Sequence, residues 1–171
     1  MTSRPGSRLQ GRDDIVVDAP SEVLWDLIAD SHTLPSWGPP VIGVEVMTDE
    51  GQPERLGTAR KVRARFGRKT GWFLEHRVEH VPGRQIAYLI DEENFGLSRL
   101  VSRPGFSLEL SPLDDGRTRV IFSFFHDPRG LKGRLLNPML KRQQRRNRLA
   151  ALASLKRRAE EIASRDAEGL G

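Results

Sequence analysis

An α+β domain, one antiparallel sheet with a long C-terminal helix, is what this sequence predicts, and three observations predict it. Apolar residues recur at helical spacing from Val23 to Ile28 and again from Leu135 to Ile162. Between these stretches, from Val41 to His126, the apolar period falls to two. Turn signals such as Pro82-Gly83 and Asp114-Asp115-Gly116 divide the alternating region into short runs, and strands joined by short turns pair antiparallel. The resulting order is β-α-α-β-β-β-β-β-β-α.

Taken in order, Ile15 to Val17 reads as a strand that Asp18-Ala19-Pro20-Ser21 interrupts, with Pro20 suited to the first turn of a helix. Val23, Leu24, Leu27 and Ile28 form the apolar stripe of that helix, with Trp25 beside it. Leu34 and Trp37 close a short second helix, which Pro39-Pro40 stops. Val41 to Met47 is a strand, residues 49–53 a loop, and Gly57 to Phe66 a second strand of the sheet. Along the latter Arg60, Val62, Ala64 and Phe66 share one face. Gly67 to Lys69 turns the chain into Trp72 to Val81, where Trp72, Leu74, His76 and Val78 are expected to point inward together.

Gln85 to Asp91 follows as a strand, then an acidic loop from Asp91 to Asn94. Leu97 to Leu110 holds a strand that Pro104-Gly105 bends, and Thr118 to His126 is the last strand. Asn137-Pro138 supplies an N-cap and a first helical residue. The favoured reading is a short turn followed by a main helix to about Ala163, roughly 40 Å long; the alternative starts the helix near Leu131, with Pro138 kinking it.

A length of 171 residues, 37% of them hydrophobic, suits one domain with a sizeable core. The expected boundaries are a flexible tail over 1–12, the domain over 13–164 and a second tail over 165–171. The polar N-terminal stretch is not a secretory signal, and no apolar run reaches the ~20 residues of a membrane span. With 0 Cys there is no disulfide framework and no thiolate chemistry, so a cytoplasmic protein is the simplest expectation. The net charge of +5 is uneven. Arg129 to Arg165 is strongly basic and the rest of the chain is net acidic, an asymmetry that suits an anionic partner, an anionic ligand or an internal charge match.

Five phrases, in this order, resemble the SRPBCC or START-like superfamily: APSEVLWDLIAD, LPSW, RVEHVPGRQIAYLI, DDGRTRVIFSF and LASLKRRAEE. The resemblance is strongest to its polyketide cyclase/dehydrase and lipid-transport branch and covers nearly the whole body. It implies a helix-grip fold, in which a curved sheet wraps the long helix and leaves an internal, typically apolar cavity. It implies a hydrophobic small-molecule ligand, polyketide- or lipid-like with an acidic or enolic end, and cyclase/aromatase-type acid–base chemistry that needs no cofactor. It carries over no catalytic residue, because the superfamily has no universal motif.

Strand parity nominates the site. His76, Tyr88 and His126 are the acid–base candidates, because a neutral imidazole near a phenol moves protons near pH 7. Arg60 is placed to hold an enolate or carboxylate. Val62, Phe66, Trp72, Leu74, Phe122 and Phe124 would line the pocket, with Trp37 either as a gate or as the plug of the helix–sheet junction. The plainer alternative makes His76 and His126 satisfied sheet residues. On the long helix Leu135, Met139, Leu149, Leu152, Leu155, Ala159 and Ile162 read as a core stripe. Its continuation passes through Arg142 and Arg146, which with Met139 and Gln143 become ligand candidates at the cavity mouth, whereas Arg145 and Arg148 read as solvated. A second function class is a basic-helix module for ribosomal RNA or an anionic membrane surface. RNA stacking has little to work with, since no Phe, Tyr or Trp follows Phe125. Four His without ligand spacing predict no metal site. On this reading Arg60→Ala and His126→Ala impair ligand handling and leave the melting temperature nearly unchanged.

Overall fold

The computed structural model describes residues 6–47 and 52–169. Seven strands form one antiparallel sheet: β1 (Leu9–Val17), β2 (Val41–Met47), β3 (Ala59–Phe66), β4 (Lys69–Val81), β5 (Gln85–Glu93), β6 (Val101–Pro112) and β7 (Thr118–Pro128). Their spatial order is β1-β7-β6-β5-β4-β3-β2, so the first strand closes the sheet beside the last. Helices α1 (Ser21–Ala29) and α2 (Leu34–Trp37), with a 3-10 turn at Ser31–Thr33 between them, connect the two edges. Helix α3 (Gly130–Gly169) ends the described chain. This is the helix-grip order that the sequence predicts.

Four boundaries differ. β1 begins at Leu9, because residues 9–12 pair with β7 instead of forming a tail. The acidic stretch Asp91–Glu93 belongs to β5, where Glu92 and Glu93 pair with Leu74 and Phe73. The helix continues past Ala163 to Gly169. It also begins at Gly130, with Pro138 in its interior, so the alternative start is the one found. Pro138 and Arg134 are both exposed, and water can satisfy the Arg134 carbonyl that the proline leaves without its N–H donor. Residues 1–5, 48–51 and 170–171, which fall in the expected tails and the β2–β3 loop, lie outside the described residues.

The core lies between the concave face of the sheet, α1 and the C-terminal half of α3. Leu24, Leu27 and Ile28 from α1 pack with Leu152, Leu155 and Ala159 from α3 and with Val17, Ile86, Leu108 and Val120 from the sheet. Helix α3 begins immediately after β7 because Gly130 takes φ +60°, which a glycine adopts without strain. One turn later Gly133 lets the helix lie against the loop before β6: a Cβ there would stand 2.2 Å from the Leu100 carbonyl oxygen. Trp37 is buried, and its indole N–H donates to the Leu27 carbonyl at 3.0 Å. It is therefore the plug that pins α2 to α1, and the gate reading has no structural support.

Among the described residues no helix is long and apolar enough to cross a membrane.

Candidate functional site

Direct cross-strand partners share a face of the sheet, so one buried residue fixes the orientation of a whole row. Val62 belongs to the core, which turns Arg60 and Val62 of β3 towards the interior together with Glu75 and Phe73 of β4, their partners. In the next pairings Glu75 lies opposite Ile90, and Arg77 opposite Tyr88. The concave face thus receives two arginines, a glutamate and a tyrosine from three adjacent strands.

These groups, with Ala29, Ser31 and Glu54 from the connecting segments and His80 of β4, form one hydrogen-bonded array. Arg60 is only 3% exposed. Its Nε and Nη2 both lie 2.8 Å from Glu75 Oε2, and its Nη1 donates to Ser31 Oγ at 3.0 Å. Ser31 in turn donates its backbone N–H and its hydroxyl to the Glu54 carboxylate, at 2.7 and 2.6 Å. Glu54 Oε2 accepts from Arg77 Nη2 at 2.6 Å. Arg77 donates to the Tyr88 hydroxyl through Nε at 3.0 Å and Nη2 at 2.6 Å, and to the Ala29 carbonyl at 2.7 Å. Its Nη1 meets His80 Nδ1 at 3.0 Å.

Two guanidinium groups face two carboxylates, which is why the array can exist inside the protein: an unpaired buried charge costs several kcal/mol, ~3–5 when one partner of a pair is removed. Burial works against the Arg60 charge, but Glu75, then Tyr88 and Glu54, outweigh it and raise its pKa. Burial also pushes the Glu75 carboxyl up, and Arg60 pulls it back. His80 is held below its ordinary value by burial and then by the Arg77 charge, against the attraction of Glu54. A neutral His80 is the form that can accept the Arg77 N–H.

The Tyr88 hydroxyl accepts two hydrogen bonds from Arg77, which leaves its own proton to be donated. Next to it the wall becomes aromatic. Tyr88, Phe106 and Phe124 occupy one cross-strand row. The Tyr88 and Phe106 rings are 5.3 Å apart at 26°, and Phe106 meets Phe122 edge-on at 5.8 Å. Tyr88 is fully buried, whereas Phe106, Phe122 and Phe124 are half-buried. A second half-buried cluster, Phe66, Phe73 and Phe95, lies towards the β3–β4 turn, with Phe73 and Phe95 stacked at 4.8 Å.

At the far end of the row the buried His126 touches α3. Its Nε2 lies 2.7 Å from Asn137 Oδ1, and Asn137 Nδ2 donates to Gln10 Oε1 at 3.3 Å. The Nδ1 lies 3.5 Å from Gln144 Nε2, and among the described residues the buried Gln144 Oε1 has no hydrogen-bond partner. Burial pushes the His126 imidazole below its ordinary value, against the Asn137 hydrogen bond and the Asp127 charge. His126 lies two strands from Tyr88 and two residues further along, about 12 Å away at normal strand spacing. The imidazole–phenol pair that the sequence suggests between these two is therefore not formed; the imidazole beside the tyrosine array is that of His80.

Several candidates lie elsewhere. His76 is on the outer face, half exposed and hydrogen-bonded to Asp91 through Nδ1. Trp72 and Leu74 also face outward, with Lys61 Nζ 4.8 Å from the Trp72 ring centre. The cause is a reversal of the usual pattern on β4: its inward positions carry Gly71, Phe73, Glu75 and Arg77, and its apolar Trp72 and Leu74 point out. A register shift between Arg77 and Glu79 then makes Val78 the extra residue of a bulge and brings His80 to the inner face opposite Ile86. His76 and His80 thus end on opposite faces.

On α3 the expected stripe divides. Leu152, Leu155 and Ala159 are buried, but Leu135, Met139 and Leu149 are exposed, as are Arg142, Gln143 and Arg146. Gln143 only bonds Asn147 within the helix, at 3.1 Å. The arginine that leans to the sheet is Arg148, 4% exposed, with Nη2 2.7 Å from Asp13 Oδ2. Its guanidinium lies on Gly11, where a Cβ would stand 2.4 Å from Nη2. Sequence reasoning missed Ser31, Glu54, Glu75, Arg77, His80 and Gln144. The signal available was the alternation Glu75, Arg77 against Arg60, opposite charges at a period of two on neighbouring strands.

With this geometry in view, the comparisons with known proteins are specific about the fold. The family model for "Polyketide cyclase / dehydrase and lipid transport" matches residues 9–160. The chain belongs to this family. It matches no curated protein sequence. Among solved structures it is similar to the Zhui aromatase/cyclase from a Streptomyces species, with 20% identity over 90% of this chain and 93% of that one and a TM-score of 0.72. A START superfamily protein from Mycobacterium smegmatis gives 15% identity, 89% and 97% coverage and a TM-score of 0.71. A two-domain aromatase/cyclase, BexL, gives 20% identity over 88% of this chain and 45% of that one, with a TM-score of 0.72. Identities this low establish a shared helix-grip fold and leave the chemistry to the residues themselves. Among the described residues no group of three or more His, Cys, Asp or Glu is placed to hold a metal ion.

Proposed function

We propose that this protein binds a hydrophobic small molecule, polyketide- or lipid-like, between the sheet and α3, with an enolic or phenolic end turned to Tyr88 and an apolar body along Phe106, Phe122 and Phe124. The observation that carries this reading is the Tyr88 hydroxyl: it is buried at the end of an aromatic wall, and two guanidinium N–H groups occupy its oxygen. Those donors fix the phenol oxygen and leave its O–H to be offered to a ligand. Because Arg60 and Arg77 are already matched by Glu75 and Glu54, the array has no spare positive charge for a full carboxylate. A neutral enol, phenol or carbonyl suits it better.

If turnover follows binding, its chemistry is cofactor-free. The Tyr88 hydroxyl donates a hydrogen bond that polarises a ligand carbonyl or enol oxygen, while Arg77 holds the phenol oxygen in place. Positioning by the aromatic wall supplies the rest.

The test begins with native mass spectrometry of the protein as purified, before and after mild organic denaturation. Titration with a naphthol and with naphthalene then asks whether the hydroxyl is read. A co-purifying hydrophobic molecule, or saturable naphthol binding about tenfold tighter than that of naphthalene, supports the reading; a tenfold ratio is ~1.4 kcal/mol, the scale of one buried hydrogen bond. An empty protein with no saturable binding of either probe rejects it.

A further inference from the structure

The first half of α3 presents a surface that the described residues leave uncovered. Leu131 is 75% exposed, Leu135 70%, Met139 65% and Leu149 43%. Together with Arg142 and Arg146, these residues recur every three or four positions and so form one continuous stripe. Gly133, Gln144, Arg148, Ala151, Leu152 and Leu155, all buried, lie on the opposite side of the helix. The stripe therefore faces away from the grip. Lys132, Arg134, Lys141 and Arg145 flank it, all exposed, and no acidic residue occurs between Asp127 and Glu160.

We infer that this face of α3 docks the protein on an anionic lipid surface. A helix that carries large apolar side chains at its crest and Lys or Arg on its shoulders lies in the plane of a membrane interface. Its crest enters the acyl boundary, its long basic side chains extend to the headgroups, and affinity is the sum of apolar burial and charge attraction. Other occupants fit less well. A second copy would set one acid-free basic face against its twin. RNA would use the charges but leave Leu131, Leu135 and Met139 in water, and the helix has no aromatic ring for base stacking. The inference stands independently of the ligand reading above, since none of these side chains touches the Tyr88 array. If both hold, the protein loads or delivers its ligand at a bilayer.

The full chain would be floated with phosphatidylcholine vesicles, alone or with about a third phosphatidylglycerol, the anionic fraction that attracts juxtamembrane basic residues. Binding is expected only to the anionic vesicles. Leu135→Ser with Met139→Ser should weaken it at least tenfold although the charge is unchanged, and Arg142→Glu with Arg146→Glu should weaken it similarly. All four positions are exposed, so circular dichroism and melting temperature should match the parent. The absence of cysteine gives a direct readout. An environment-sensitive dye on Met139→Cys should brighten on anionic vesicles, and the same dye on Arg119→Cys, on the outer face of the sheet, should not. The inference fails if anionic vesicles are not bound, if the double serine variant binds as well as the parent, or if the Met139→Cys dye stays dark. It also fails if the double serine substitution instead abolishes a dimer or RNA retention.

Discussion

The Arg60 guanidinium carbon sits 3.7 Å from the centre of the Tyr88 ring, and the same guanidinium holds Glu75 through two N–H groups. One side chain from β3 thus covers the phenol of β5 and neutralises the carboxylate of the strand between them. Removing it uncovers a ring and strands a buried charge at the same time, so its structural and ligand-facing effects have to be separated by experiment.

Arg60→Ala should therefore destabilise the protein by ~3–5 kcal/mol, the usual cost of leaving one partner of a buried pair alone. This reverses the near-neutral effect that the sequence suggests. Arg60→Met combined with Glu75→Leu removes both charges and should restore most of the stability in chemical denaturation. If the single and double variants melt together, the pair is not the reason for the loss.

Tyr88→Phe keeps the ring beneath Arg60 and deletes the oxygen that accepts two Arg77 N–H groups. A stability loss of ~1–3 kcal/mol is expected from the orphaned buried donors. The preference for naphthol over naphthalene should disappear while naphthalene binding is kept. Retained preference in a folded variant would place the polar end of the ligand elsewhere, for which Gln144 Oε1, buried and unpartnered, is the next candidate.

The order of elements was legible because period, turn residues and helical spacing are local properties. The site was less so, for two physical reasons. Parity on β4 was assigned by putting Trp72 and Leu74 inside, whereas the interior holds Glu75 and Arg77, which burial allows only because Arg60 and Glu54 come from other segments to pair them. The bulge at Val78 then moved His80 to the inner face, and no local signal marks it. Arg60, Val62 and Tyr88 lie on the inner face because β3 and β5 alternate without interruption at those residues, whereas His126 sits where the β6–β7 register shifts between Ser102 and Gly105. On α3 the apolar residues were read as one stripe, but they fall on two faces, Leu135, Met139 and Leu149 outward and Leu152, Leu155 and Ala159 inward, and spacing alone does not say which of them meets the sheet.

Arg148 and Arg142 test that last point. Arg148→Ala breaks a buried pair with Asp13 and should cost ~3 kcal/mol or more, whereas the exposed Arg142→Ala should change stability by less than ~0.5 kcal/mol. Gly11→Ala should resemble Arg148→Ala, because its Cβ would occupy the place of the guanidinium. Equal melting temperatures for the Arg142 and Arg148 variants would mean that α3 does not present Arg148 to β1.

Acidification should weaken the fold in two steps. His126 and His80 both have pKa values lowered from 6.5, burial being the leading cause in each. The unfolded chain therefore takes up protons first as pH falls, and stability, complete above about pH 6.5, declines through the range below it. Glu93 and Glu160 act lower down. Burial would raise both, but at Glu93 the backbone N–H groups of Ser98, Leu97 and Phe95, with the Ser98 side chain, outweigh it. At Glu160 the Lys156 ammonium and the Asp18 N–H outweigh it. Their stabilisation is full above the ordinary carboxylate value of 4.5 and is lost as pH falls through their depressed values. Denaturation midpoints between pH 7.5 and about pH 5 isolate the imidazole step. His126→Gln should flatten that part of the profile, and adding His80→Gln should flatten it further. A variant that keeps the full parental slope would show that neither imidazole is held neutral by the fold.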